Sequence, residues 1–179
     1  APAVLAAGGA LPLADGAVDA ALAVLSLHHY PDPGTVAREM RRVARGRVAV
    51  VTWDPSTAGS FWLVRDYLPS VAAFDAARYP RVDDVAAWLG GASVTPLPIP
   101  HDCRDGFLGA YWRRPEAYLD PRARAGTSAL REGDAAVAAG LSRLAADLAD
   151  GTWRVKNGHL LRLDESDVGY RLIVAAAGA

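Results

Sequence analysis

The sequence predicts an α/β fold built on a doubly wound, mostly parallel sheet. Three observations predict it. Residues 20–25 (AALAVL), entered through Val18 and Asp19, form an apolar run without alternation, as in a strand buried on both faces. Residues 48–53 (VAVVTW) form a second such run. Between them lies a stretch of helical period with its own start signal. Strand, helix, strand is the unit that links parallel neighbours.

Residues 1–9 (APAVLAAGG) read as the tail of a short strand running into a turn. Leu11-Pro12-Leu13 followed by Asp15-Gly16 is turn chemistry between apolar anchors. Periodicity alone leaves residues 20–25 open to a buried helix. The polar cluster Ser26-Leu27-His28-His29-Tyr30 and then Pro31-Asp32-Pro33 end the run and favour a strand. Asp32 is placed as an N-cap with Pro33 at the first helical position. Val36, Met40 and Val43 share one face of the helix, Arg38, Glu39, Arg41 and Arg42 face outward, and Gly46 stops it. The two strands then present Ser26 and Thr52 at neighbouring carboxyl ends, where open α/β sheets bind ligands.

Further along, residues 61–68 are expected to be helical, with Ser60 as N-cap and Pro69 as stop. Residues 82–89 form a short helix closed by Gly90-Gly91. Residues 93–100 (SVTPLPIP) carry three prolines and suit only an edge strand. Asp105 is expected to cap a short helix within 101–114. Residues 134–150 form the clearest helix, with Val137, Leu141, Leu144 and Leu148 on one face and Gly151 after it. Asn157-Gly158 signals a tight turn, and residues 170–175 (YRLIVA) read as the last strand.

Composition narrows the function. The 179 residues are 51% hydrophobic with a formal net charge of -1, which offers nothing to nucleic acid or to an anionic membrane. No apolar run approaches the ~20 residues of a membrane span. Cys103 is the only cysteine, so there is no disulfide framework and no thiolate metal site, and a cytoplasmic location is expected. Of four histidines, two are adjacent and His101 and His159 are isolated, so no metal site is expected.

The block ALPLADGAVDAALAVLSLHHYPDP, then EMRRVARG, then RVAVVTWD, resembles class I S-adenosylmethionine-dependent methyltransferases of type 11. The resemblance spans roughly residues 7–54. It implies a Rossmann-like sheet with an antiparallel C-terminal strand, one domain over 1–179, and a helical substrate or lid insert over 104–150. It implies methyl transfer from S-adenosylmethionine to a small-molecule acceptor. Ala10, Leu11, Leu25, Ser26, Leu27 and His28 would line the cofactor, with Ala10-Leu11 near the adenine and Leu25–His28 near the sulfonium.

Two departures go with it. The family's Gly-rich loop and the acidic residue on its second strand have no counterpart, so the sheet is expected to be incomplete at its N-terminal side and the chain to be a truncated form, inactive alone. The open edge left at residues 20–25 is expected to pair with a second copy. The position that offers the adenine an Asp is about Ala7, leaving the backbone N–H of Gly9 or Ala10 to do so.

His28 is the candidate catalytic residue, since a neutral imidazole can take a proton from an acceptor O–H or N–H. The alternative is a strand terminus whose histidines bond to backbone. His29, Tyr30, Trp53, Trp62, Tyr111 and Trp112 are candidate acceptor contacts, although the last two read first as helix packing. Methyl transfer needs positioning and exclusion of water, so no catalytic signature need appear. Two other classes stay open: a methyltransferase-like domain that binds without turnover, and an NAD(P)-dependent oxidoreductase on a similar sheet. No Tyr-x-x-x-Lys pair supports the latter.

Overall fold

The strand–helix–strand unit is present. A computed structural model describes residues 3–130 and 133–176, so the first two residues of the expected N-terminal strand tail lie outside it. Its elements are β1 (Val18–Val24), α1 (Pro33–Val43), β2 (Ala44–Trp53), α2 (Pro69–Ala76), α3 (Val82–Trp88), β3 (Ser93–Pro96), β4 (Ile99–Pro100), α4 (Pro121–Ala125), α5 (Ala135–Ala149), α6 (Thr152–Asn157), β5 (Glu165–Ser166) and β6 (Tyr170–Ala175). The chain divides into two units: Ala1–Asp54, Arg78–Leu97 and Tyr170–Ala179 in the first, Pro55–Ala77 and Pro98–Gly169 in the second.

The first unit is the sheet β1-β2-β6-β3. β1 and β2 pair parallel, and β6 pairs antiparallel with both β2 and β3. Three strands therefore run one way and the C-terminal strand runs against them, which is the Rossmann-like α/β class expected. β3 sits at the edge, where its proline withholds no needed donor. α1 and α3 close one face around Ala23, Val36, Ala37, Met40, Val48, Val50, Val85, Leu89 and Ile173. Val48, Val50 and Ile173 are wholly buried, each contributing roughly 1.5–3 kcal/mol by leaving water.

Two readings of this unit need correction. β1 is not buried on both faces: Leu22 is 66% and Val24 53% exposed. Ala23 points into the core and its neighbours point away from it, at the outermost strand. Gly46 does not stop α1, whose N–H ladder ends at Ala44 as the chain goes straight into β2. Gly46 instead faces a register shift in β1 between Val18 and Ala20, where any Cβ would overlap the Asp19 carbonyl oxygen. Glycine is required there for close strand approach.

The second unit is helical around an aromatic core. Phe61, Trp62, Tyr67, Trp112, Tyr118 and Trp153 are nearly or fully buried. Trp62 donates to the Trp112 carbonyl at 2.8 Å, and Trp112 to that of Ile99 at 2.9 Å. α5 begins as expected, with Asp134 accepting from Ala136 and Val137 N–H. It crosses residues 67–68 at Gly140, where a Cβ would overlap the Tyr67 carbonyl oxygen. Val137, Leu141 and Leu144 are buried and Leu148 half-buried.

In this unit one expectation holds and three fail. The helix expected over 61–68 is present as a π-helical turn (Leu63–Tyr67) that ends before Pro69, and Pro69 then also starts α2, where position N1 needs no N–H. Ser60 lies in a preceding 3-10 turn. Asp105 accepts from the adjacent Gly106 N–H, and the short turn Leu108–Tyr111 follows Phe107 instead. Asn157-Gly158 passes from α6 into another 3-10 turn, since no strands flank it to make a hairpin.

Candidate functional site

The carboxyl ends of β1 and β2 lie side by side, with Val24 opposite Val51. Leu25 extends the ladder by one bond, donating its N–H to the Val51 carbonyl at 2.9 Å. The chain then turns sharply: Leu25 has φ +46°, alone among the described non-glycine residues in being positive. A leucine in the left-handed region costs about 1–2 kcal/mol, and such strain collects at functional sites. Ser26 then opens a 3-10 turn over Leu27–His29, closed by bonds from His29 N–H to Ser26 and from Tyr30 N–H to Leu27.

The Leu27 side chain, 2% exposed, pins that turn into the core. His28 and His29 are left beside each other, ring centroids 4.0 Å apart. His28 stacks on Tyr79 at 4.0 Å, and Tyr79 meets Trp53 edge-on at 5.9 Å. Arg78 approaches His29 Nδ1 at 3.4 Å. Partial burial, then the positive surroundings of His29 and Arg78, pull the His28 pKa down to about 4, so the ring is neutral at neutral pH.

A second loop comes up to this turn. Ala7–Ala10 is a four-residue turn closed by Ala10 N–H to Ala7 at 3.0 Å. The Tyr30 ring lies against Gly8, where a Cβ would stand 2.5 Å away, and Thr35 lies against Gly9 at 2.9 Å. Asp32, the α1 cap, accepts from Thr35 N–H and its hydroxyl, which hold the carboxyl below its usual range. The loop Gly8–Leu11, the turn Leu25–Tyr30 and Trp53 therefore meet at one edge of the first unit.

Part of S-adenosylmethionine fits what these residues offer. Leu11 is half-buried, the Leu25–Ser26 turn is fixed, and His28 is an uncharged ring. A neutral neighbour suits a sulfonium better than a cation. Hydroxyl-gripping carboxylates are less available: Asp32 is used by Thr35, and Asp54 pairs with Arg171 at 3.8 Å. The N–H of Ala10 is taken by Ala7, leaving that of Gly9 as the donor for an adenine.

A family model described as "Methyltransferase domain" matches residues 2–51, the stretch that holds both loops. A methyltransferase candidate from an antibiotic biosynthesis pathway of Anabaena variabilis is 35% identical, with a TM-score of 0.86, over 96% of this chain and 72% of its own. The chain belongs to the class I S-adenosylmethionine-dependent methyltransferases. Also similar are a methyltransferase candidate from Bacillus halodurans (12% identity, TM-score 0.48, 97% of this chain and 70% of that one) and YcgJ from Bacillus subtilis (16%, 0.48, 97% and 70%). No curated protein sequence matches the chain.

Within this methyltransferase, Ala10, Leu11, Leu25, Ser26, Leu27, His28, His29, Tyr30 and Trp53 gather in the first unit. Trp62, Tyr111 and Trp112 belong to the second. Trp62 and Trp112 are buried there, and Tyr111 packs on Tyr118 and Arg114. Sequence reasoning missed Arg78 and Tyr79. Their one signal was an aromatic placed just before Pro80 and a helix. Glu39 and Arg42, read as outward-facing, instead hold the Leu11 loop. Among the described residues no group of His, Cys, Asp and Glu could hold a metal ion, and no helix is long and apolar enough to cross a membrane.

Proposed function

We propose that the carboxyl ends of β1 and β2 belong to a site that transfers a methyl group from S-adenosylmethionine to a small-molecule acceptor. What supports the reading is the strained Leu25–His28 turn at two adjoining parallel strand ends, faced by the Gly8–Leu11 loop. Bound there, the sulfonium would supply an electrophilic methyl carbon. Ala10 and Leu11 flank the adenine through Leu11's side chain and the Gly9 N–H. Leu25, Ser26 and His28 line the methyl-donating end. Leu27 acts from the core by fixing the turn. His29, Tyr30 and Trp53 contact the acceptor, with Tyr79 beside them.

His28 is neutral above about pH 5 and has a lone pair to offer an acceptor proton. An acceptor oxygen or nitrogen becomes far more acidic as its bond to carbon forms, so a weak base suffices. Trp62, Tyr111 and Trp112 lie in the second unit, where Trp62 and Trp112 are buried.

Photolabelling with methyl-tritiated S-adenosylmethionine tests this reading. Label is expected in the peptide spanning Leu25–Tyr30 or Gly8–Leu11, displaced by S-adenosylhomocysteine and not by NAD. Absence of displaceable label, or displacement by NAD, would overturn it.

A further inference from the structure

The Arg-rich face of α1 holds two residues that do not behave as solvated surface. Glu39 accepts the backbone N–H of Leu11 at 2.8 Å, across 28 positions of sequence, with its side chain only 13% exposed. Arg42 grips both oxygens of Glu39, at 2.8 and 2.7 Å. The same guanidinium donates to the Leu11 carbonyl at 3.2 Å and to Asp15 at 2.6 Å. The Arg42 carbonyl in turn accepts from Gly16 N–H at 2.9 Å. Two residues one helical turn apart thus tether both ends of the segment Leu11–Gly16, at Leu11 and at Asp15-Gly16.

An ordinary i,i+3 ion pair would leave the loop untouched and gain little. Here the pair is oriented by backbone groups of the loop. The Leu11 peptide is bonded on both sides, N–H to Glu39 and C=O to Arg42. Pro12 has no N–H to offer a competing bond. The other end of the Gly8–Leu11 loop is seated by Thr35 against Gly9 and Tyr30 against Gly8. Bonds from Arg42 and from Leu11 N–H hold the Glu39 carboxylate at a pKa of about 2, so it stays charged at any working pH. Arg42 is shifted the other way by Glu39 and Asp15.

We propose that Glu39 and Arg42 are positioning residues that preset the Gly8–Leu11 loop for the adenine end of the cofactor. This rests on the reading above that the loop faces the cofactor. A planar guanidinium has five donors in a fixed fork, and four of the contacts above use it as donor. Lysine presents a single ammonium and cannot make the same set. The chemical consequence is on cofactor binding, not on the acceptor or the methyl-transfer step, since neither residue reaches Leu25–Tyr30.

The test uses the whole chain and two readouts. Hydrogen exchange of the Leu11 amide in the ligand-free protein reports the clamp itself. Titration with S-adenosylhomocysteine, followed by amide chemical shifts, reports its use. Glu39→Ala is expected to speed Leu11 exchange and weaken S-adenosylhomocysteine by about tenfold each, the size of one lost charged hydrogen bond. Glu39→Gln keeps an acceptor oxygen for Leu11 and should recover part of the affinity, whereas Arg42→Lys should not. Equal affinity in wild type and Glu39→Ala would overturn the proposal while leaving the cofactor reading intact. No response of the wild type to S-adenosylhomocysteine would overturn both. Equal losses in Glu39→Ala and Glu39→Gln with unchanged Leu11 exchange would also overturn it, by showing a charge effect without a clamp.

Discussion

Replacing Leu25 by glycine and by alanine separates backbone strain from side-chain packing at the turn. Both substitutions remove the leucine, which is half-buried, so they lose the same contacts except for one methyl group. They differ in how they tolerate φ +46°. An L-residue held in the left-handed region costs about 1–2 kcal/mol, which glycine escapes. Glycine gives back roughly 0.5–1 kcal/mol through the greater freedom of the unfolded chain. The balance favours Leu25→Gly over Leu25→Ala by about 0.5–1 kcal/mol. In urea, with a slope of about 2 kcal/mol/M, that is a midpoint higher by ~0.3–0.5 M. Ala23→Gly, two residues earlier in β1, is the control and should destabilise by about 1–2 kcal/mol, as glycine does in a packed strand. A Leu25→Ala variant as stable as Leu25→Gly, or more so, would refute the strain. If the strain serves orientation, the glycine variant gains stability over alanine yet binds S-adenosylhomocysteine no better.

Gly46→Ala and Gly140→Ala each force a methyl group onto a backbone carbonyl and should cost about 2 kcal/mol or more, read as a drop in urea midpoint. Gly59→Ala, with open space around it, should stay within about 0.5 kcal/mol. His28 titrates at about 4 when folded against 6.5 as its ordinary value, so the unfolded chain binds more protons between those values. Stability should therefore rise with pH across that window and be lost as pH falls through it, and His28→Gln should flatten the rise in melting temperature. Arg78→Gln removes a nearby positive charge and should move the His28 midpoint upward in an imidazole NMR titration.

The sheet was legible because its signals are local. Apolar runs at residues 20–25 and 48–53, an Asp-Pro helix start and a proline-laden edge strand each act within a few residues. The strand ends that carry the candidate site followed from the parallel pairing alone. Readings fell short where one residue type serves two purposes. Pro69 follows one helical turn and opens the next, because proline ends and begins helices with the same sterics. Gly46 was read as a cap because its need, a carbonyl 27 positions earlier, is invisible along the chain.

The site showed the same division. His28, Tyr30 and Trp53 lie at strand ends and could be placed from periodicity. Tyr79 joins them through tertiary packing, and no spacing rule reaches from residue 28 to residue 79. Glu39 and Arg42 sit on a polar helix face that looks solvated until the Leu11 loop is laid across it. The strain at Leu25 carries no sequence signal, because leucine there is what a relaxed strand would also use.

Amide chemical-shift mapping of the chain during titration with S-adenosylhomocysteine to millimolar concentration is the most direct measurement. Perturbations should concentrate on Gly9, Leu11 and Leu25–Tyr30, with the Trp53 indole following. A protein whose spectrum is unchanged, or whose shifts cluster in the second unit around residues 112–153, would contradict a methyl-donor site at the ends of β1 and β2.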